Sequence, residues 1–447
     1  MPKLFGTSGV RGIINEEITP EKVLKLARAL GSYLGNSGTV ILGKDPRTSS
    51  DIIESIISSG LLASGCSIKK LGVVPTPVVG FSCRNLEVDA GIMITASHNP
   101  PQYNGVKFFD SNGMAYTPEK ESKIEEIYSE QKTRNASWNE IESVETTDVA
   151  RDYMIEIVNA VSVNKKFKVV IDCANGAASR ITPYLLEDIG CKVITLNSQL
   201  DGTFPGHDPE PTETNLRELS KIVRSTKADL GLAHDGDGDR IAAVDEKGEF
   251  VKPDKLLALV SSYAADKFGG KIITTVDASR IIDEQVEKSG GEIVRTKVGD
   301  VSVAQEMESQ EASFGGEPSG TWIFGDVHLC PDGVLGGLRI LEILSKSEKT
   351  LSELISEIPD YPVKRAKVSC SNNEKENKMK KVKKEAPNTF ENIVNSLDID
   401  GLRLEFESGA WVLIRPSGTE PYIRITAEAN SEDEVKSLVS KSKKILR

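Results

Sequence analysis

The chain has 447 residues, too many for a single hydrophobic core and enough for about three or four domains. With 38% apolar residues, 27% charged residues and a net charge of −12, it reads as a globular protein that does not bind nucleic acid or anionic membrane nonspecifically. No apolar run approaches the roughly 20 residues of a bilayer span. The six cysteines lie far apart with no CxxC pair, which fits reduced thiols and not a disulfide frame or zinc site. Met1-Pro2-Lys3-Leu4-Phe5-Gly6 leads into a Gly-rich motif and not a signal peptide, so a cytoplasmic protein is expected.

In chain order, Gly6-Thr7-Ser8-Gly9-Val10-Arg11-Gly12 comes first, where glycines, hydroxyls and a guanidinium can approach a phosphate. Residues 18–34 predict an amphipathic helix started by Thr19 or Pro20, with Val23, Leu26, Ala27, Leu30 and Leu34 on one face. A pattern then repeats three times: a strand ending in an acid, a helix, a glycine and a second strand. The acids are Asp45, Asp172 and Asp277; the helices are predicted at 50–64, 179–189 and 279–288, and the second strands at 67–74, 192–196 and 292–296. The repeat predicts parallel βαβ layers. Each unit leads to one polar loop, and in open α/β sheets ligands gather at such strand ends. From residue 371 the pattern changes: a Lys-rich solvated helix face at 378–384, alternating strands, and a final helix from Ser431 predict an α+β domain on an antiparallel sheet.

The first of these loops is Thr95-Ala96-Ser97-His98-Asn99-Pro100, delivered by the apolar strand Ala90-Gly91-Ile92-Met93-Ile94. Pro100 and Pro101 keep it from relaxing into a helix. Ser97 is either a nucleophile or phosphate carrier, or a capping Ser in a polar turn. Lys107, returning soon after, can neutralise phosphate charge, or act as acid or base if its pKa is lowered. The second loop carries Asp235, Asp237 and Asp239, which share a face of an extended segment while Gly236 and Gly238 allow tight curvature. Three close carboxylates require a cation, and all-oxygen ligation points to Mg²⁺. An EF-hand competes, since Glu246 falls twelfth from Asp235, but Arg240 stands where Gly is needed and the flanks read as strands. The third loop, Gly315-Gly316-Glu317-Pro318-Ser319-Gly320, offers a carboxylate and a hydroxyl suited to adjacent sugar hydroxyls. Arg415-Pro416-Ser417-Gly418-Thr419-Glu420, with Arg424 on the next strand, reads as a phosphate clamp, with a structural turn as the plain alternative. Hydroxyl, divalent metal, phosphate clamp and polyol loop together describe phosphoryl transfer on a phosphosugar.

These four motifs, in this order over essentially the whole chain, resemble the α-D-phosphohexomutase superfamily. The resemblance implies an α/β fold of four domains around a central cleft: three related mixed-sheet α/β domains at 1–150, 151–251 and 252–364, and a C-terminal α+β domain at 365–447. It amends the all-parallel reading of the repeats. It also implies a hexose 6-phosphate/hexose 1-phosphate mutase working through phosphoserine at Ser97 and a glucose- or glucosamine-1,6-bisphosphate. One Mg²⁺ is implied on Asp235, Asp237, Asp239 and the Ser97 phosphate. Arg11, His98, Lys107 and Arg240 would surround the transferring group, Glu317 and Ser319 would grip the sugar, and Arg415, Ser417, Gly418, Thr419 and Arg424 would hold the other phosphate. The expected partner is a small phosphosugar, with no nucleic acid or membrane, and the chain is expected as a monomer or homodimer. Thr321 and Asp300 stand where many members carry His. The 5–12 and 316–322 segments look most like archaeal phosphoglucosamine-type members, whereas 204–211 is closer to phosphomanno/phosphoglucomutases. A silent phosphosugar-binding protein and a phosphatase using Asp235 are the rival classes.

Overall fold

The computed structural model describes residues 4–6, 9–418 and 420–447. Three of its sheets repeat one plan. In the first, Thr39–Lys44 lies between the parallel strands Ser67–Val73 and Ala90–Ile94, and Tyr103–Asp110 returns antiparallel beside the latter. In the second, Lys168–Asp172 lies between Lys192–Leu196 and Leu230–His234, with Ile241–Val244 antiparallel outside. In the third, Lys271–Thr275 lies between Glu292–Thr296 and Phe314–Gly316, with Trp322–Phe324 antiparallel outside. Val10–Ile13 and Val144–Thr146 extend the first sheet to six strands.

The sheets are therefore mixed, not all-parallel. The cause lies in chain length: residues 95–102, 235–240 and 317–321 join the third strand to the fourth, and a parallel crossover needs about a dozen residues or more. Each of these short connections is one of the three polar loops, so the loops do occupy equivalent places. Ala90–Ile94 and Leu230–His234 are buried at every position, as central strands covered on both faces require.

Local chemistry sets the helix limits. Thr19 caps Pro20–Tyr33 by accepting from the Lys22 amide, and Val23, Leu26, Ala27 and Leu30 face the core. The helix expected at 179–189 divides into a 3₁₀ turn, Ala177–Arg180, and the helix Thr182–Asp188, with Pro183 in its first turn. The Lys-rich helix Lys375–Thr389 buries Met379, Val382 and Ala386 and leaves Lys380, Lys381, Lys383 and Lys384 exposed, while Lys375 and Lys378 are half-buried.

One core runs through the first three units, from Val78 and Phe81 through Tyr153 and Ile181 to Trp322 and Leu341. The five-stranded antiparallel C-terminal sheet has its own core around Val412, Ile423, Ile425 and Val435. It docks where Val276 meets Trp411 and Leu413. There the buried Arg403 donates to the Val276 and Ala278 carbonyls at 2.7 and 3.0 Å. Among the described residues, no helix is long and apolar enough to cross a membrane.

The loops are braced by their neighbours. The amide of Thr76, which opens the helix Thr76–Asn85, donates to the Asp237 carbonyl at 2.9 Å, and the Ile241 amide donates to that of Gly320 at 3.1 Å. A Cβ on Gly236 would stand 2.7 Å from the Ser97 carbonyl oxygen, a backbone atom that cannot swing away. Gly236→Ala is therefore expected to cost about 1–3 kcal/mol. The check is the denaturant midpoint, and an unchanged midpoint would show that the two loops are not held this closely.

Candidate active site

The strand Ala90–Ile94 ends where Thr95 ties the chain down: its hydroxyl donates to Asp45 at 2.7 Å and accepts from the Ser97 amide at 2.8 Å. Ser97 itself is in the left-handed region, with φ at 50°, a conformation that a non-glycine residue adopts only when its surroundings enforce it. Its Oγ donates to Asp235 Oδ2 at 2.7 Å and lies 3.3 Å from His98 Nδ1. Carboxylate oxygens of Asp235, Asp237 and Asp239 lie within 4.8 Å of one another, and all three residues are buried.

Three buried carboxylates this close repel: burial and Asp237 raise the pKa of Asp239, as they do that of Asp235, and only that of Asp237 is lowered. Burial, with Asp237 and Asp239 as neighbours, drives the Asp235 pKa well above the usual carboxylate range. Burial opposes ionisation of Asp237 as well, but Lys107 and the Thr76 hydroxyl outweigh it and hold its pKa low. Lys107 Nζ reaches Asp237 Oδ2 at 2.9 Å and Asp239 Oδ2 at 2.7 Å. Burial works against its charge, yet the two aspartates raise its pKa. Asp237 Oδ1 and Asp239 Oδ1 are buried with no hydrogen-bond partner in the protein. Hard oxygen donors left over in a buried carboxylate trio fit a divalent cation such as Mg²⁺.

A cavity of about 250 Å³ opens in front of this cluster, lined by Arg11, Ser97, His98, Lys107, Asp239, Arg240, Glu317 and Ser319 among others. The sequence-predicted transfer and sugar-loop residues are thus brought together. Arg11 Nη1 donates to Asn99 Oδ1 at 3.1 Å. Burial, with Arg240 and Arg11 close by, lowers the His98 pKa to about 2 and keeps its imidazole neutral. Glu317 Oε1 accepts from the Gly299 amide at 2.8 Å, while burial and the nearby Asp300 and Asp277 push its pKa to about 8. Thr321 pairs with Arg240 across the second and third loops and accepts from the Ser319 hydroxyl at 3.0 Å, a bracing position.

Of the clamp residues, Arg415 and Arg424 line a neighbouring cavity of about 290 Å³, whose lining does not include Ser417 or Gly418 and shares Asp277 with the first. Arg415 lies opposite Arg424 in strand register, and Lys367 lies opposite Arg424 on its other side. Arg415 pairs with Asp400 at 2.6 Å and Arg424 with Glu420 at 3.1 Å, which offsets the repulsion of like charges facing across strands. Ser417 is buried, Gly418 is exposed, and Thr419 lies outside the described residues, as do Thr7 and Ser8 of the first motif. Lys375 Nζ donates to the Ser417 and Glu420 carbonyls at 2.6 and 2.7 Å.

Sequence reasoning missed Thr76, Lys375, Arg365, Lys367 and Arg47. Thr76 donates to Asp237 Oδ2 at 2.6 Å, and Arg365 and Lys367 extend the basic wall of the second cavity. Their signal was weak: a threonine between prolines, and charges alternating along an exposed edge strand, resemble ordinary surface polarity.

Comparison with known proteins agrees with this geometry. The family models for phosphoglucomutase/phosphomannomutase alpha/beta/alpha domains I, II and III match residues 2–135, 151–248 and 252–361, and that for the C-terminal domain matches 366–443. A probable phosphoglucosamine mutase of Methanosphaera stadtmanae is 49% identical, covering 100% of this chain and 98% of the relative. One of Pyrococcus abyssi is 46% identical with the same coverage. A solved phosphoglucomutase/phosphomannomutase family protein from Burkholderia thailandensis superposes with a TM-score of 0.90 at 28% identity, covering 99% of this chain and 97% of that one. The Aspergillus fumigatus N-acetylphosphoglucosamine mutase, solved with GlcNAc-6P and magnesium, shares the fold at a TM-score of 0.62 and 16% identity. Motifs, fold and whole-length identity agree that the chain belongs to the phosphoglucomutase/phosphomannomutase family and is a phosphohexomutase.

Proposed function

We propose that the protein converts glucosamine 6-phosphate to glucosamine 1-phosphate, through phosphoserine at Ser97 and a hexose 1,6-bisphosphate. The observation that carries the reading is Ser97 Oγ, 2.7 Å from Asp235 in a buried carboxylate trio and facing the cavity that also holds the sugar loop. The amino-sugar choice is supported by whole-length identity to relatives named for that activity.

In the first half-reaction the phosphorus–Oγ bond of phospho-Ser97 breaks and a bond forms from phosphorus to the free hydroxyl of the sugar phosphate. The proton lost by the sugar hydroxyl is balanced by the one gained at Ser97 Oγ. The bisphosphate then turns around and the same exchange runs backwards with its other phosphate. Arg11, Lys107 and Arg240 spread positive charge around the transferring group, and neutral His98 adds a hydrogen bond without adding charge. Glu317 and Ser319 hold sugar hydroxyls, and Arg415, Ser417, Gly418 and Arg424 hold the idle phosphate, with Thr419 assigned there by its motif alone. Asp235, Asp237, Asp239 and the Ser97 phosphoryl group would hold Mg²⁺, which when bound would neutralise charge on the phosphoryl oxygens.

The test is kcat/KM, with Mg²⁺ and a trace of sugar bisphosphate, on the 1-phosphates of glucosamine, glucose and mannose, with Ser97→Ala as control. A preference of about tenfold or more for glucosamine 1-phosphate is expected. Equal or better rates on glucose and mannose would make the protein a broad phosphomanno/phosphoglucomutase. Ser97→Ala should lower turnover at least a thousandfold, roughly, and normal interconversion would refute the phosphoserine assignment.

Glu317 provides a pH test. Its pKa of about 8 in the fold exceeds its ordinary 4.5, so the folded chain binds more protons than the unfolded one between those values. Stability contributed at this site therefore falls as pH rises from about 4.5 to 8. Glu317→Gln removes that loss and should raise the melting temperature of the ligand-free protein more at pH 8 than at pH 5. It should also lower kcat/KM about tenfold or more by replacing the carboxyl that holds the sugar hydroxyls with an amide. A melting-temperature difference independent of pH would contradict the raised pKa.

A further inference from the structure

The Ser97 loop is built around a residue with no part in the transfer site just described. Arg47 follows the strand Thr39–Lys44, and its side chain is fully buried. All five of its guanidinium hydrogens have acceptors. Nε donates to Asp45 Oδ2 at 2.9 Å. Nη1 donates to the Pro100 and Tyr103 carbonyls at 2.7 and 3.0 Å. Nη2 donates to the Ser97 and Asn99 carbonyls at 2.8 and 2.6 Å. Three backbone carbonyls of the loop, and that of Tyr103 at the start of the returning strand, thus converge on a single planar cation. Without it their dipoles would repel in a buried space, although the Pro100 carbonyl also accepts from the Tyr103 amide at 3.1 Å.

The second domain closes over this arrangement. The Phe204 ring lies 4.9 Å from the Arg47 guanidinium carbon, and Phe204 is itself buried in the left-handed region at φ 49°. A Cβ on the neighbouring Gly202 would stand 2.2 Å from the Pro46 carbonyl, so the turn sits directly on the Arg47 backbone. Asp45 completes the frame: the same carboxylate oxygen that takes Arg47 Nε takes the Thr95 hydroxyl, which in turn receives the Ser97 amide. The Ser97 peptide is therefore gripped at its carbonyl by Arg47 and at its amide through Thr95 and Asp45. Both grips fix the left-handed φ that aims Oγ at Asp235.

We infer that Arg47 is a positioning residue for phosphoryl transfer, setting the Ser97 loop through its five-donor fork while Phe204 of the second domain clamps the fork in place. The inference rests on the phosphoserine reading of Ser97. Lysine cannot replace this fork, since three donors on a point charge cannot meet one carboxylate and four carbonyls in a plane. Arg47 lies outside the cavity lining, so its removal should alter the chemical step and leave sugar-phosphate binding nearly intact.

The experiment compares wild type and Arg47→Lys in two readouts. One is kcat and KM on glucosamine 1-phosphate. The other is the rate of phosphate uptake at Ser97 from glucose 1,6-bisphosphate with Mg²⁺, followed by intact mass. The expected result is a roughly 100-fold fall in both kcat and uptake rate, with KM within about threefold of wild type. A kcat and uptake rate within about fivefold of wild type, or a KM that rises as far as kcat falls, would overturn the inference. A wild-type protein that takes up no phosphate at Ser97 would instead refute the phosphoserine reading, and the role of Arg47 would fall with it. If Arg47→Lys does not fold, Phe204→Leu carries the test, because it removes the stacked ring and leaves every hydrogen bond to the loop. The same split between kcat and KM is then expected at about tenfold, and an unchanged kcat would overturn the inference.

Discussion

Lys107 Nζ, 2.9 Å from Asp237 and 2.7 Å from Asp239 in a buried pocket, is the interaction on which the rest of the site depends. A carboxylate removed from water loses several kcal/mol of hydration, and three together add mutual repulsion. The fold tolerates them because cations and hydroxyls come from elsewhere in the chain. Lys107 arrives on the fourth strand of the first sheet, Thr76 on a helix of the same unit, and Ser97 on the first polar loop. The aspartates belong to the second unit, so the site exists only when the first two units are closed on each other. One hydrophobic core is continuous through three of the four domains.

Threefold repetition supplies the geometry. A strand, an antiparallel partner and a connection too short to cross over give each unit one loop at the same place, and the loops' different lengths and side chains make them different tools. The acids that end the first strand of each unit show the same divergence. Asp45 frames the Ser97 loop through Arg47 and Thr95, Asp172 accepts from Asn197 and contacts His207, and Asp277 stands between the two cavities. Position is inherited from the fold, and function is set by the residues that each loop happens to carry.

Much of this was legible in the sequence because the decisive signals are local. Alternating aspartates and glycines in 235–239, a Ser-His-Asn-Pro run after an apolar strand, and an Arg-Pro-Ser-Gly turn each carry their chemistry within a few residues. The repeats were legible too, but strand direction was not read from them: it depended on connection length between the third and fourth strands, which periodicity ignores. Arg47 was illegible for a different reason. Its five partners are spread over residues 45–103, and its clamp, Phe204, comes from another domain, so no window of sequence shows that this arginine is buried. Likewise the protonation of Lys107 depends on acids about 130 positions away; only the folded chain shows that they raise its pKa.

The central claim is that Ser97 carries the phosphoryl group to and from the sugar. Its most direct test is a single turnover: protein phosphorylated at Ser97, freed of excess bisphosphate, is mixed with glucosamine 6-phosphate and Mg²⁺ and quenched over time. The account predicts loss of the phosphate adduct from the protein matched by the appearance of an equal amount of glucosamine 1,6-bisphosphate, with no free phosphate. Loss of the adduct as free inorganic phosphate, or an adduct that persists while glucosamine 1-phosphate accumulates, would contradict it.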